Sequence, residues 1–383
     1  MKMRKILALI ATVVLGATTL FGCGNSGYTS ENTEFIIGVS GPLTGPAAVY
    51  GTAVQNAAQM AVDEINAAGG LDGVKFKLIA TDDTHDPTKV STNYSSMLES
   101  GMQVSLGTVT TAPGLEYTNL SAEDNVFFLT PSASGDDIPK NDNGFQMCFA
   151  DGNQGGVAAN YVNENYKGQT IGVFYKSDDA YSDGIYKQFK ENLDSSIKTV
   201  EAVFTDANAT DFSAQISSLK DCKFIFMPIY YTPASLFMTQ AKDQLAKDAI
   251  YYGCDGFDGI ESAEGFDINA IPQEVTMLSH FNSKATDGAA ADFVKKYTEK
   301  YGKDTLNQFG ASAYDCIYAI YNAMKEAGDI DVTISASDLC DILKEKFANG
   351  FTYSGVTGDN ITWESNGYVQ KGAVKYVIKE ATK

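Results

Sequence analysis

From Phe35 onward, short apolar runs alternate with amphipathic stretches, and this alternation limits the possible folds more than any other feature of the chain. Phe35 to Val39 reads as a strand that ends in Ser40-Gly41-Pro42. Ala53, Ala57, Met60, Ala61, Ile65 and Ala68 recur at helical spacing over 51–68, and Gly69-Gly70 stops that helix. The same rhythm predicts strands at 76–80, 104–106, 126–129, 170–175, 200–204, 224–228 and 250–252. It predicts helices at 88–99, 114–123, 155–165, 182–192, 212–219 and 233–245. Apolar strands separated by helices imply an α/β fold, with parallel sheets covered on both faces. The texture then changes: helices are expected at 286–301, 311–327 and 337–348. After them 361–364, Tyr368 and 373–379 read as antiparallel strands finishing a sheet.

Ligands of such sheets sit beyond the carboxyl ends of the strands. The loops there are 40–51, 108–114, 130–137, 177–184, 229–233 and 253–259, rich in Ser, Thr, Tyr and Gly. These groups offer hydrogen bonds more readily than covalent chemistry.

The N-terminus sets an expected compartment. Lys2, Arg4 and Lys5 precede an apolar run from Ile6 to Val14, which reads as a secretory leader over 1–22. That run is shorter than the ~20 residues of a spanning helix. Leu20-Phe21-Gly22-Cys23 resembles the bacterial lipobox, which implies lipidation of Cys23 and a flexible polar tether over 23–34. The expected location is extracytoplasmic, anchored to the cell membrane. Roughly 360 residues remain beyond the leader, more than one core comfortably serves, so two domains are expected.

Charge and chemistry exclude several classes. The net charge is −20, and loss of the three leader cations makes it more negative, which argues against nucleic acid as a partner. Beyond Cys23 five cysteines remain: Cys148, Cys222, Cys254, Cys316 and Cys340. An odd number cannot all pair within one chain, and their spacings match no zinc pattern. Cys222 and Cys254 both adjoin apolar runs and are candidate neighbours, although buried thiols are the expectation. The two histidines, His85 and His280, read as structural. No Gly-x-Ser-x-Gly, His-Glu-x-x-His or P-loop motif occurs, so neither an enzyme nor a cofactor is expected. Asp82, Asp83 and Asp86 supply too few oxygen ligands for a calcium site, and no metal is expected. A secreted hydrolase is the distant alternative. A ligand-sensing receptor module is the nearer one.

Several segments together resemble the branched-chain amino acid binding proteins of bacterial ABC importers. They are Ile37-Gly38-Val39-Ser40-Gly41-Pro42-Leu43-Thr44-Gly45 with Tyr50-Gly51, then Ala61-Val62-Asp63-Glu64-Ile65-Asn66-Ala67-Ala68-Gly69-Gly70. Asp82-Asp83, Asp86-Pro87 and Thr130-Pro131-Ser132-Ala133-Ser134 complete the set. The resemblance implies a type I periplasmic binding protein fold: two doubly wound parallel-sheet lobes joined by a multi-strand hinge. The first lobe would take 35–150 plus 281–356, and the second 151–280 plus 357–383. A monomer that delivers its ligand to ABC permease subunits is the implied partner arrangement.

The resemblance also implies a ligand set. Thr111 and the loop Ser132, Ala133 and Ser134 would hold an amino acid carboxylate, and Asp255 its ammonium. Tyr181 and Tyr231 would close over the ligand from the second lobe, with Tyr50 and Phe309 near its side chain. Bottom-up chemistry agrees, because a zwitterion leaving water needs both charges satisfied. Two departures stand out. Where the family often carries a disulfide, this chain has His85 and Thr110. After Phe309 comes Gly310-Ala311-Ser312-Ala313, which leaves room for a wider side-chain pocket.

Overall fold

A computed structural model describes residues 31–382. The leader, Cys23 and most of the tether lie outside the described residues. The chain opens with β1 (Phe35–Gly41), α1 (Ala48–Ala67), β2 (Phe76–Asp82), α2 (Val90–Glu99), β3 (Val104–Ser105), α3 (Thr111–Glu123), β4 (Phe128–Thr130) and β5 (Gly144–Gln146). These strands form one parallel sheet in the order β2-β1-β3-β4-β5. β1 is buried along its whole length, as a central strand covered on both faces must be.

The chain then crosses to a second sheet. It contains α4 (Asp151–Asn165), β6 (Thr170–Lys176), α5 (Ala180–Asn192), β7 (Lys198–Phe204), α6 (Ser213–Leu219), β8 (Phe224–Met227), α7 (Tyr231–Ala241), β9 (Ile250–Gly253) and β10 (Glu274–Ser279). Next come α8 (Gly288–Tyr301), α9 (Gln308–Ala327) and α10 (Ala336–Ala348), then a ribbon of β11 (Thr352–Tyr353) and β12 (Ile361–Thr362). The last strand, β13 (Val374–Lys379), runs antiparallel to β10 at the edge of the second sheet, whose order is β13-β10-β9-β8-β6-β7. Read from β7, this sheet repeats the order of the first, so each has a point where the winding reverses. It lies between β1 and β3 in one sheet and between β6 and β8 in the other.

Helix α9 returns to the first sheet, and its close approach to α1 explains the small residues after Phe309. A Cβ added to Gly310 would lie 3.1 Å from the Ala53 carbonyl oxygen. Ala311 and Ala313 are fully buried, and Ser312 Oγ lies 2.7 Å from His280 Nε2. The expected widening of the pocket is therefore corrected: the run lets two helices touch, and it opens no extra space.

The three crossing segments lie side by side. The rings of Phe149 and His280 are 5.1 Å apart, edge to face, and Lys371 Nζ donates to the Met147 carbonyl at 2.9 Å. Burial lowers the pKa of this lysine to about 8.

Some expectations shift. Strands β5 and β10 lie outside the predicted strands, one too short to show a pattern and the other preceded by an irregular stretch. The segment 361–364 does not finish the large sheet, since β12 pairs with β11. Residues 357–372, expected with the second sheet, pack largely on the first. Trp363 Nε1 donates to the Gln146 carbonyl at 2.7 Å, its ring sits 4.6 Å from that of Phe347, and Tyr368 Oη donates to the Asp136 carbonyl at 2.5 Å. An aromatic side chain that can close the end of an existing core outweighs the local strand pattern. All five cysteines of the described residues are free and buried, so Cys222 and Cys254 form no bridge.

Candidate functional site

The two switch points face each other, and the loops leaving them line one small closed cavity. From the first sheet, the segment after β1 brings Tyr50, the one after β3 brings Val109 and Thr111, and the one after β4 brings Ser132 and Ser134. From the second, the turn after β6 leads to Tyr181, the one after β8 to Tyr230, and the one after β9 to Asp255 and Gly256. Phe309, on the first turn of α9, completes the wall. The cavity is narrow, with a free volume of about 10 Å³.

The sheets are drawn together across it. Tyr50, at the start of α1, donates its hydroxyl to the Gly256 carbonyl at 2.5 Å and accepts from the Tyr231 N–H at 3.2 Å. Thr232 Oγ1 donates to the Pro46 carbonyl at 2.6 Å. This is a closed cleft.

Its polar groups are incompletely satisfied. Asp255 is 1% exposed. Its Oδ1 accepts from the Tyr181 hydroxyl at 2.6 Å, and its backbone N–H donates to Gln154 Oε1 at 2.9 Å, but Oδ2 has no partner. Burial pushes the Asp255 pKa up to about 6, against the pull of its hydrogen bonds. Burial, followed by the charge of Asp255, also raises Asp151. Thr111 Oγ1 and Tyr230 Oη are likewise buried and unpartnered. Buried polar atoms are normally paired, so three orphans around one cavity mark a place built for something else. Helix α3 begins, with no side-chain cap, at the cavity-lining Thr111, which puts its positive dipole end at the cavity wall. One end of the cavity thus suits an anion. The other, with a carboxylate oxygen to spare, suits a cation. Between them stand aromatic faces: Tyr50 and Phe309 meet edge to face at 5.0 Å, and Tyr181 stacks on Tyr230 at 4.5 Å. Roomier surface clefts, such as the one bounded by Phe257, Ile268 and Leu306, contain none of these orphaned atoms.

Of the residues singled out from sequence, Tyr50, Thr111, Ser132, Ser134, Tyr181, Asp255 and Phe309 line the cavity. Tyr231 does not, and this corrects the expectation: it lies in an outer groove with Gly45 and Pro46, while Tyr230 faces inward. Helix α7 starts at Tyr231, so Tyr230 is the extended capping residue, with φ −71° and ψ 160°. The adjoining residue turns its side chain away. Ala133 is not a lining residue either. Its N–H donates to Thr130 Oγ1 at 3.0 Å and its carbonyl accepts from Gln146 Nε2 at 3.2 Å, which leaves neither group for a ligand. Val109, Gly256 and Tyr230 were missed. Only the adjacency of Tyr230 and Tyr231 hinted at the last.

A cleft closed between two doubly wound sheets, with opposite polarity at its two ends, defines a small-molecule binding protein of the hinged type. Residues 34–379 match the periplasmic binding protein family, and the chain belongs to it. That family consists of extracytoplasmic binding proteins, not enzymes. The chain is 29% identical over 323 residues to the leucine-, isoleucine-, valine-, threonine-, and alanine-binding protein of Pseudomonas aeruginosa, covering 80% of this chain and 82% of that one. It is 27% identical over 330 residues to Leu/Ile/Val-binding protein homolog 3 of Brucella melitensis, covering 85% and 86%. Among solved structures, it is similar to the branched-chain amino acid transporter substrate binding protein LivJ from Streptococcus pneumoniae in complex with isoleucine. That match has a TM-score of 0.74 and 26% identity, covering 90% of this chain and 100% of the other.

Proposed function

We propose that the cleft captures an α-amino acid with an apolar side chain, branched-chain residues foremost, and that the closed form presents it to an ABC importer. The observation that carries this is an unpartnered Asp255 Oδ2 and an unpartnered Thr111 Oγ1 in the lining of one buried cavity. Asp255 and the Tyr181 hydroxyl would receive the ammonium. Thr111, Ser132, Ser134 and the N-terminus of α3 would receive the carboxylate. Tyr50, Val109, Tyr230 and Phe309 would enclose the side chain. The relatives support an amino acid ligand: one is named for leucine, isoleucine and valine, one for these with threonine and alanine, and the solved structure holds isoleucine.

In this reading the chain has two lobes, 35–150 with 281–372 and 151–280 with 373–382, that hinge about the three crossing segments. A ligand shifts such a protein toward closure only if it binds the closed form better than the open one. Tyr181, Tyr230 and Asp255 join the ligand only when the second lobe arrives, so they supply that difference. We further propose a monomer anchored by lipid on Cys23, on the strength of Leu20-Phe21-Gly22-Cys23. A Cys23→Ala variant that stays in the membrane fraction would reject the anchor.

The test of the ligand class is a thermal-shift screen of the purified chain against all twenty amino acids. A ligand at 100 times its Kd stabilises the native state by about 2.7 kcal/mol, a clear rise in Tm. If no amino acid raises the Tm, the reading is wrong.

A further inference from the structure

The turn after β2 holds two consecutive non-glycine residues in the left-handed region, Thr84 at φ 52° and His85 at φ 63°. Such backbone is uncommon and persists where its surroundings impose it. Here Asp82 Oδ1 accepts the N–H groups of Leu43 and Thr84, both at 2.9 Å. Asp83 Oδ1 accepts that of His85 at 2.9 Å. The turn aims the imidazole at the join between the lobes. Its Nδ1 lies 2.9 Å from Oγ1 of Thr110, the residue that precedes α3. Its ring and that of Tyr230 meet edge to face at 5.2 Å and 81°, and this tyrosine also stacks on Tyr181. Its Nε2 lies 3.9 Å from Oδ2 of Asp179, the cap of α5. Thr110 belongs to the first lobe, whereas Tyr230 and Asp179 belong to the second.

We infer that His85 is a positioning residue for ligand capture: its neutral ring holds Tyr230 against the cavity and joins the start of α3 to that of α5, and its protonation loosens the closed form. This rests on the amino acid reading of the cleft. The charged groups around the ring are Asp179 on α5, Asp86 on its own turn, and Lys176 and Asp206 beyond the second sheet. Lys176 and Asp206 largely answer each other, at 2.7 Å. Burial of the imidazole depresses its pKa and outweighs the opposing pull of Asp179. In the open form His85 keeps Thr110 and loses the second lobe, so it regains water and its ordinary affinity for a proton. Closure therefore expels a proton. Affinity is complete above the ordinary value of 6.5 and declines as pH falls below it. A group with that value is about nine-tenths protonated at pH 5.5, so the contribution of His85 reaches at most about tenfold there.

The experiment is calorimetry of leucine, isoleucine and valine binding at pH 7.5 and 5.5, in the wild type and in His85→Asn. Asparagine can still bond Thr110 but does not titrate. Asp255 contributes equally to both proteins and cancels in the ratio. The wild type should lose several-fold more affinity on acidification than His85→Asn. Asp179→Asn, which keeps the helix cap and removes the largest of the charges favouring protonation, should steepen the loss. Equal losses in the wild type and in folded His85→Asn, or a wild-type affinity that rises in acid, would overturn the inference. Should His85→Asn not fold, an unchanged slope in Asp179→Asn would do the same. No heat from any of the three amino acids at pH 7.5 would overturn the ligand reading, and the role of His85 with it.

Discussion

Replacing Asp255 by asparagine should make the protein more stable and a poorer binder at once. The carboxylate is fully enclosed, with one oxygen bonded to Tyr181 and the other to nothing. Its pKa rises from 3.8 to about 6 in the empty cleft, chiefly because burial penalises the charge. At 1.36 kcal/mol per pKa unit, keeping this group ionised costs the closed form about 3 kcal/mol. A raised carboxylate pKa means the closed form holds its proton more tightly than the unfolded chain does. The penalty is therefore absent in acid and complete above about pH 6. Asparagine can still accept the Tyr181 hydroxyl and carries no charge. Urea unfolding at pH 7.5 should show Asp255→Asn more stable than the wild type, by up to about 3 kcal/mol to the extent that the closed form is populated, with the difference shrinking as pH falls through 6. Binding should move the other way. An ammonium beside Oδ2 relieves the penalty in the wild type and finds no counter-charge in the variant. Calorimetry should give a loss of about 2–5 kcal/mol, the scale for truncating one partner of a buried charge pair. An unchanged affinity would refute the assignment of Asp255 to the ligand. A destabilised empty protein would refute the electrostatic argument.

Three further substitutions separate binding from folding. Thr111→Val removes a hydroxyl that has no partner in the empty cleft, so unfolding stability should hold while affinity falls by about 1.5–3 kcal/mol in calorimetry. Gly51→Ala places a Cβ 2.2 Å from the Pro42 carbonyl oxygen, so backbone must shift beside Tyr50. A loss of about 1–3 kcal/mol in urea unfolding is expected. Trp363→Phe strips the Gln146 carbonyl of its 2.7 Å donor and thins the packing against Phe347, which should cost about 1–3 kcal/mol by circular dichroism.

The sequence by itself determined the architecture and most of the cleft. Periodicity is a local property, so apolar strands with helices between them were legible residue by residue, and with them the carboxyl-end loops where ligands bind. Thr111, Ser132, Ser134, Tyr181 and Asp255 follow from that placement together with the family resemblance. What only the tertiary structure decided were the choices that depend on neighbours distant in the chain. Whether Tyr230 or Tyr231 faces the cavity turns on the residue at which α7 begins, which a Tyr-Tyr pair does not reveal. The run after Phe309 could widen a pocket or let helices touch, and Ala53, some 250 residues earlier, settles it for packing. Residues 357–372 pack against the first sheet because Trp363 closes the end of a core there. His85 shows the same dependence: an unremarkable loop histidine in the sequence, it gains its neighbours only when the two sheets close on one another. Contact across hundreds of residues is a property of packing, and no local pattern encodes it.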